Sequence, residues 1–147
     1  PGKVSKKGDM MQLNITTDYA IRAVLYLALR QELVTAGEIS AAMGIPKSYI
    51  LKITQKLVQA GIFTRTVGKL GGFMLAKKPE AVSLYEIISL MESTTKINRC
   101  LEADKYCNRF AADNCPVRNF YCLLQDELES KLKAITIAAL LKNQSKK

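Results

Sequence analysis

Apolar residues recur at three- and four-residue steps along most of the chain, which is the pattern of amphipathic helices. The pattern predicts a first helix that is capped by Thr16 or Thr17, has Asp18 in its first turn and runs to about Arg30. A capping-box sequence at 35–38 then opens a short second helix. The N-terminal third of the chain is therefore predicted to be helical.

A tight turn joins the second helix to a longer third one. Gly44 suits the left-handed position that ends a helix, and Ile45 is expected to point inward. Pro46 suits the start of a helix that runs from about Lys47 to Ala60. A short helix, a glycine turn and a longer helix form a helix-turn-helix.

Two short runs of strand-forming residues follow, at 62–66 and 73–76, with three glycines between them. They predict a β-hairpin, and a basic hairpin directly after a helix-turn-helix makes a winged helix. Ser83 and Glu86 then repeat the capping-box pattern and open a fourth helix.

The periodicity fails from Thr94 to Asn114, which predicts a loop of about 20 residues. Pro116 then starts a long helix to about Leu141. Its apolar stripe belongs either to the chain's own core or to a dimer interface, and we expect the dimer because the small domain already has a core. The stripe comprises Leu124, Leu128, Leu132, Ile135 and Ala139.

These elements predict a mainly α fold, a winged helix-turn-helix domain with a long C-terminal dimerisation helix. The expected divisions are a flexible leader (1–10), the winged domain (11–93), a cysteine-containing sensor loop (94–115), the dimerisation helix (116–141) and a tail (142–147). We expect Met11 to be the native start. The leader has no apolar signal-peptide region and no stretch approaches about 18 apolar residues, so we expect a cytosolic protein without membrane contact.

The amino-acid composition limits the kinds of catalytic and metal site that the protein can form. The 147 residues include 22 Lys and Arg, 13 Asp and Glu, and no His. Without imidazole, Ser-His-Asp catalysis, Cys-His catalysis and histidine-ligated zinc sites are excluded. No other pair of catalytic base and nucleophile is recognisable, so we predict that the protein is not an enzyme. The net charge of +9 makes an anionic partner the first to consider.

The positive charge is concentrated in the N-terminal half. Residues 1–78 carry 12 Lys and Arg against 4 Asp and Glu, a net charge of +8, whereas residues 79–147 have a net charge of +1. No acidic residue lies between Glu38 and Glu80. A solubilising surface normally mixes both signs, so this interval favours attraction to phosphates over an ordinary solvated surface.

The N-terminal residues of the second helix in a helix-turn-helix meet DNA base edges. The candidate DNA contacts on the third helix and on the hairpin are Lys47, Ser48, Tyr49, Lys52, Lys56, Arg65, Lys69, Gly71 and Gly72. The alternatives are that Tyr49 is a core aromatic, that the lysines are ordinary surface charges, and that the glycines serve only the turn.

The four cysteines are spaced C-x6-C-x7-C-x6-C at Cys100, Cys107, Cys115 and Cys122. Zinc ribbons use C-x2-C pairs, and none is present. A long irregular loop with three thiolates can instead wrap an iron-sulfur cluster. Cluster-free redox or ligand-sensing thiols and inert structural cysteines are the alternatives.

The chain resembles the IscR, NsrR and CymR family of bacterial winged-helix regulators. The similarity covers nearly everything from Met11 to Leu141, and several motifs occur in the family's order. They are Met11-Gln12-Leu13, Thr17-Asp18-Tyr19-Ala20, Gly44-Ile45, Ser48-Tyr49-Ile50, Gly71-Gly72-Phe73 and the spaced cysteines. The resemblance implies a homodimer that binds palindromic double-stranded promoter DNA and responds to iron-sulfur, nitric oxide, redox or cysteine status.

The resemblance also implies that Cys100, Cys107 and Cys115 hold the cluster, although their gaps are slightly longer than usual. Cys122 lies roughly 10 Å beyond Cys115 along a helix, at about 1.5 Å per residue, so one iron can hardly take both. Asp18 stands where NsrR-like members supply a fourth ligand from the partner's first helix. A helix-dipole role for Asp18 and a small hydrophobic role for Cys122 remain the alternatives.

This sequence departs from the family's pattern at three positions. Arg118 replaces the histidine ligand of IscR-like members, and Val67 replaces an arginine that usually precedes the first wing glycine. Leu51 stands where IscR-like members carry an acid that influences base preference. Arg65 or Lys69 would therefore have to replace the wing arginine, and the relatives' target sequences should not be transferred.

An alternative from another class is an iron-sulfur electron-transfer or cluster-carrier protein whose basic half docks an acidic partner. Electron transfer does not need an acid-free recognition helix and wing. The acid-free interval at 39–79 therefore favours the regulator.

Overall fold

The structure is a computed structural model that describes residues 11–144. Helix α1 spans Ile15–Arg30, and the side chain of Asn14 caps it by accepting a hydrogen bond from the Thr16 N–H at 3.2 Å. The predicted cap at Thr16 or Thr17 is therefore wrong by two or three residues. Asn14 is one of the preferred capping residues, and the helix includes both threonines.

Helices α2 (Ala36–Met43) and α3 (Lys47–Gln59) form the predicted helix-turn-helix. The capping box is complete, because the Glu38 N–H donates to the Thr35 hydroxyl at 3.2 Å and the Thr35 N–H donates to the Glu38 carboxylate at 2.7 Å. Gly44 ends α2 in the left-handed region at φ 64°, and Ile45 is buried. The turn therefore forms as its glycine predicts.

Strands β1 (Phe63–Thr66) and β2 (Gly72–Leu75) pair antiparallel, with Arg65 opposite Phe73. Val34 extends this small sheet, because its N–H and carbonyl exchange hydrogen bonds with Phe73 at 3.0 and 2.7 Å. The predicted hairpin is present and is attached to the helical core.

Helix α4 spans Leu84–Met91, and the Ser83 hydroxyl accepts from the Glu86 N–H at 3.1 Å. The reciprocal half of the predicted capping box is replaced, because the Glu86 carboxylate pairs with Lys77 at 2.6 Å. The segment that follows contains only two short 3₁₀ turns, Arg99–Leu101 and Ala112–Asn114, before α5. This agrees with the long loop expected there.

The helix predicted from Pro116 to about Leu141 is instead two helices, α5 (Pro116–Ala134) and α6 (Ile137–Gln144). Between them Thr136 pairs with Ser83, and Ile137 donates to the Val82 carbonyl at 2.9 Å. Because Ile135, Thr136 and Ile137 are β-branched and disfavour helix, this is where the chain turns. The prediction of a single helix is therefore wrong. Ile135 and Ala139, the last two residues of the predicted apolar stripe, lie beyond the end of α5.

The core lies between α1, α3, α4, the sheet and α6. Ile137 is fully buried in it, so α6 folds back onto the winged domain. Other fully buried core residues include Val24, Ile39, Ile53, Leu57, Ile62, Phe63, Val82 and Ile87. Among residues 11–144 no helix is both long and apolar enough to cross a bilayer. The predicted leader (1–10) and the last three tail residues lie outside the described part of the chain.

Candidate nucleic-acid interface and cysteine cleft

The start of α3 is an exposed, acid-free helix N-terminus. Lys47, Ser48 and Lys52 are exposed, no acidic residue lies in the first turn, and no side chain caps the helix start. Ile50, Ile53 and Leu57 of the predicted inward face are buried, and Val58 is half-buried. Free N–H groups and the helix dipole make such an end favourable for anions, so the arrangement suits phosphate or base-edge acceptors.

Tyr49 is partly packed against α1 and partly exposed, and its contact with DNA stays a prediction. Its ring packs edge-on against Tyr19, with centroids 5.3 Å apart and planes at 67°, yet 37% of the residue remains exposed. One face of the ring is thus fixed by α1 while the rest remains available at the surface.

Arg22 connects α1 to the turn of the helix-turn-helix. Its guanidinium donates to the Met43 carbonyl at the end of α2 at 3.2 Å and lies over the Tyr19 ring, 5.4 Å from the centroid. The Asp18 carboxylate holds the same guanidinium at 2.6 Å. One arginine on α1 therefore links the end of α2 to the tyrosine that supports Tyr49.

The hairpin presents Arg65 and Lys69 as exposed residues on the winged domain, whereas Lys56 near the end of α3 is half-buried. Gly71 and Gly72 have a structural reason to be glycine. A Cβ on Gly72 would lie 2.6 Å from the Val34 carbonyl oxygen, and one on Gly71 would press on the Thr66 carbonyl oxygen. Contact of either glycine with DNA stays a prediction.

Three of the four cysteines, Cys100, Cys107 and Cys115, line one cleft of about 340 Å³. Cys122, half-buried on α5, is not among the residues that line this cleft. The three residues grouped by the sequence therefore border the same cleft. Arg99, Arg118, Tyr106 and Tyr121 also line the cleft.

Local hydrogen bonds hold two of these cysteines. The Asn98 amide nitrogen lies 3.0 Å from the Cys100 sulfur, and Arg118 donates from Nε to the Cys100 carbonyl at 3.0 Å. Backbone N–H groups of Ala111 and Arg109 lower the pKa of the Cys107 thiol, with a further contribution from the Arg109 charge. The loop thus favours a thiolate at Cys107.

The residues of this cleft fit an iron-sulfur cluster in the type of ligand atom that they offer. Three soft sulfur donors share the cleft, as such a cluster requires. Within residues 11–144, however, no three Cys, Asp or Glu side chains are already close enough together to hold a metal ion. Asp18 pairs with Arg22 in this chain, which agrees with its role in the first turn of α1. The ligand set stays a prediction.

A family comparison decides what kind of protein this is. The sequence model of the family described as "Rrf2: Iron-dependent Transcriptional regulator" matches residues 13–143. The chain belongs to the Rrf2 family. Its members are named as transcriptional regulators, so the prediction that the protein is not an enzyme and the family resemblance are both confirmed.

Individual Rrf2 relatives agree with this assignment. A helix-turn-helix-type transcriptional regulator of Aquifex aeolicus is 33% identical over 132 residues, which are 89% of this chain and 92% of that one. The regulator NsrR of Shouchella clausii is 29% identical over 126 residues, covering 84% of this chain and 79% of its own.

The structure of CymR, the global cysteine regulator of Bacillus subtilis, superposes with a TM-score of 0.74 at 19% identity. It covers 91% of this chain and 98% of that one. This similarity shows the fold, and it confirms the predicted mainly α winged-helix class.

Two side chains that support the candidate sites of this Rrf2 protein were not predicted from the sequence. The sequence signal for Arg22 is that a charged residue interrupts an otherwise apolar stretch of α1. Gln125, on α5, is buried and hydrogen bonded to the backbone of Thr95 and Ile97. A lone glutamine gives no sequence signal of burial, because it is usually exposed.

Proposed function

We propose that this Rrf2 regulator is a homodimer that binds palindromic double-stranded promoter DNA through α3 and the β1–β2 hairpin. The observation that carries the proposal is the uncapped, acid-free N-terminus of α3, with Lys47, Ser48 and Lys52 exposed around it. In helix-turn-helix proteins this end of the second helix enters the major groove.

The DNA contact proposed for each residue follows from the hydrogen-bond donors of its side chain. Lys47, Lys52 and Ser48 bond guanine edges or phosphates, and the Tyr49 hydroxyl reaches a phosphate. On the hairpin, Arg65 and Lys69 contact phosphates or the minor groove. Lys56 adds a phosphate contact, and Gly71 and Gly72 allow the backbone to approach the DNA. The charge of +8 on residues 1–78 supports this assignment.

Dimerisation is proposed through α5. This helix exposes a run of large apolar side chains, and the apolar surface on the described single chain favours a second copy as its cover. The exposed residues are Val117, Phe120, Leu123, Leu124 and Leu128. Two-fold symmetry would place two α3 helices about 34 Å apart on one face of the DNA.

The DNA proposal is tested by selecting duplexes from a random-sequence library with the purified chain. We expect enrichment of a palindrome whose half-sites lie about one helical turn apart, with affinity that falls steeply as salt rises. A library that remains random after several rounds would contradict the proposal.

The dimer is tested by sedimentation equilibrium of Leu128→Asp against Asn143→Asp. Leu128 lies on the apolar surface of α5, whereas Asn143 is an exposed polar position in the last turn of α6. We expect the wild type and Asn143→Asp to be dimers and Leu128→Asp to be a monomer. Three identical dimers, or a monomeric wild type, would contradict an α5 interface.

We also propose that the cysteine cleft senses iron-sulfur, nitric oxide or redox status. Cys100, Cys107 and Cys115 would hold an iron-sulfur cluster, with Asp18 of the partner subunit as fourth ligand. Such a cluster supplies redox chemistry and reactivity toward nitric oxide. Within the chain, Arg118 and Asn98 hold Cys100, and Gln125 fixes the start of the loop. A change in this loop next to α5 would alter the spacing of the two α3 helices.

Anaerobic purification followed by visible absorption and by iron and sulfide analysis tests the cluster. We expect a coloured protein with iron and sulfide, and loss of both in Cys107→Ala. A colourless protein without iron would contradict the cluster and favour cluster-free thiol or small-molecule sensing, for which the lowered pKa of Cys107 argues. A cluster in a protein that selects no DNA sequence would favour the electron-transfer or carrier alternative.

A further inference from the structure

The tip of the hairpin carries two large apolar side chains in solvent. Leu70 is 89% exposed and Val67 is 83% exposed, and Gly68 and Lys69 lie between them. Hairpin tips are usually built from glycine and small polar residues, for which solvent is favourable. The core does not require these two side chains, because neither belongs to it. Their position indicates a contact outside the described chain.

The tip is a hydrogen-bonded turn that rests on buried aromatic residues. The Gly71 N–H donates to the Gly68 carbonyl at 3.0 Å, which makes Lys69 and Leu70 the central residues of a closed turn. Behind the turn, Phe73 of β2 is buried and packs on Phe63 with centroids 6.2 Å apart. The hydrogen bonds to Val34 attach β2 to the segment that follows α1. Leu70 is thus presented by a supported turn.

The surroundings of the tip are positively charged. Lys69 lies between the two apolar residues and Arg65 lies on β1, and no acidic residue occurs from 39 to 79. The hairpin follows α3 after only three residues, and both Arg65 and Lys69 are exposed on it. This positive charge favours a nucleic-acid partner for the apolar tip.

We propose that Leu70, backed by Val67, is an apolar wedge that enters the minor groove beside the half-site bound by α3. The inference rests on the proposed DNA-binding function. An arginine recognises a narrow minor groove by charge, which Val67 cannot do. Apolar side chains in the minor groove instead insert between base steps, partly unstack them and bend the duplex. The hairpin therefore selects flexible pyrimidine–purine steps and selects against stiff A-tracts.

The test uses the duplex that the wild type selects from a random library, with 2-aminopurine placed in turn at each adenine that flanks the half-site. Unstacking raises the fluorescence of this base analogue. We expect one position per half-site to brighten on binding of the wild type, and Leu70→Ala to abolish the increase. We expect Leu70→Ala to bind about tenfold more weakly, the loss that burial of a leucine side chain implies.

Lys69→Ala is the matched control on the same turn. It should weaken binding to all sequences and reduce the salt dependence by about one phosphate contact, but leave the fluorescence increase in place. Leu70→Ala should leave the melting temperature unchanged, because the side chain lies in solvent.

Equal affinity and an equal fluorescence increase for Leu70→Ala and the wild type would overturn the wedge and leave DNA binding intact. The apolar tip would then serve a protein or a lipid surface. A wild type that selects no duplex would overturn both the wedge and the proposed function. The two failures are thus distinguishable.

Discussion

The side-chain oxygen of Gln125 accepts a hydrogen bond from the Ile97 N–H at 2.9 Å, and this pair joins α5 to the start of the cysteine loop. The Gln125 amide nitrogen also donates to the Thr95 carbonyl at 2.9 Å. Only 3% of Gln125 is exposed, so its polar atoms are paired inside the protein. The loop therefore leaves the domain from a fixed point, three residues before Cys100.

Replacing Gln125 by alanine should release this segment. Gln125→Ala leaves the Ile97 N–H and the Thr95 carbonyl without their partner, which costs about 1–3 kcal/mol of stability. We expect a lower denaturant midpoint and faster hydrogen exchange at Ile97. Ser130→Ala, at an exposed position on the same helix, is the control and should match the wild type. Unchanged exchange at Ile97 in Gln125→Ala would contradict the anchoring role.

A second prediction concerns acid sensitivity. A hydrogen bond from Lys96 at 3.0 Å lowers the pKa of Glu129. A lowered folded pKa stabilises the protein above the unfolded value, about 4.3, and this stability is lost as pH falls through the folded value. Glu129→Gln should therefore be less stable at pH 7 by about 0.5–1 kcal/mol, a small value because the Lys96 side chain remains 34% exposed.

The difference between Glu129→Gln and the wild type should shrink as the pH falls from about 5 to about 3, as measured by urea unfolding at each pH. Glu80→Gln, at an exposed position in the 3₁₀ turn Pro79–Ala81, is the control, and its stability should follow that of the wild type at every pH. A constant difference between Glu129→Gln and the wild type at all pH values would show that the ion pair does not account for the effect.

The Cys107 thiol of the cluster-free protein should react at lower pH than an ordinary thiol. Backbone N–H groups of Ala111 and Arg109 stabilise its thiolate, which lowers its pKa. The measurement is the pH dependence of iodoacetamide alkylation in a chain whose other three cysteines are alanine. The same chain in urea is the control, because unfolding removes the N–H donors. Identical midpoints in both states would refute this environment for Cys107.

Arg22 should affect DNA binding without touching DNA. Arg22→Ala removes the bond to the Met43 carbonyl and the contact with the Tyr19 ring, so the helix-turn-helix is less firmly held. We expect a lower affinity for the selected duplex with an unchanged slope of log affinity against log salt, because no phosphate contact is lost. Titrations by fluorescence anisotropy at several salt concentrations measure both quantities. A reduced slope would show that Arg22 instead contacts a phosphate.

Local signals predicted much of the fold. The capping box at Thr35 and Glu38 and the left-handed Gly44 depend on neighbours in sequence, and both form as expected. The break before Ile137 has only a weak local signal, the β-branched residues at 135–137. It depends on pairing between Thr136 and Ser83, which are distant in sequence, and on burial of Ile137 in the winged domain.

In the candidate sites, too, some residues could be predicted from the sequence and others depend on contacts between distant segments. Lys47 and Ser48 were predictable because a helix-turn-helix places the start of its second helix at the surface. Cys100, Cys107 and Cys115, which the family resemblance groups by their order, line one cleft, and their role as ligands stays a prediction. Arg22 and Gln125 act through the backbone of segments remote in sequence, which neither spacing nor residue type indicates.

The most direct test of sequence-specific DNA binding is the affinity of wild type, Lys47→Ala and Lys142→Ala for the selected palindrome and for a scrambled duplex of equal length. Lys47 begins α3, whereas Lys142 is exposed in the last turn of α6. We predict that the wild type and Lys142→Ala prefer the palindrome by at least about 10³-fold, and that Lys47→Ala loses about tenfold or more on it. Equal binding of both duplexes by the wild type, or an unchanged affinity of Lys47→Ala, would contradict recognition through α3.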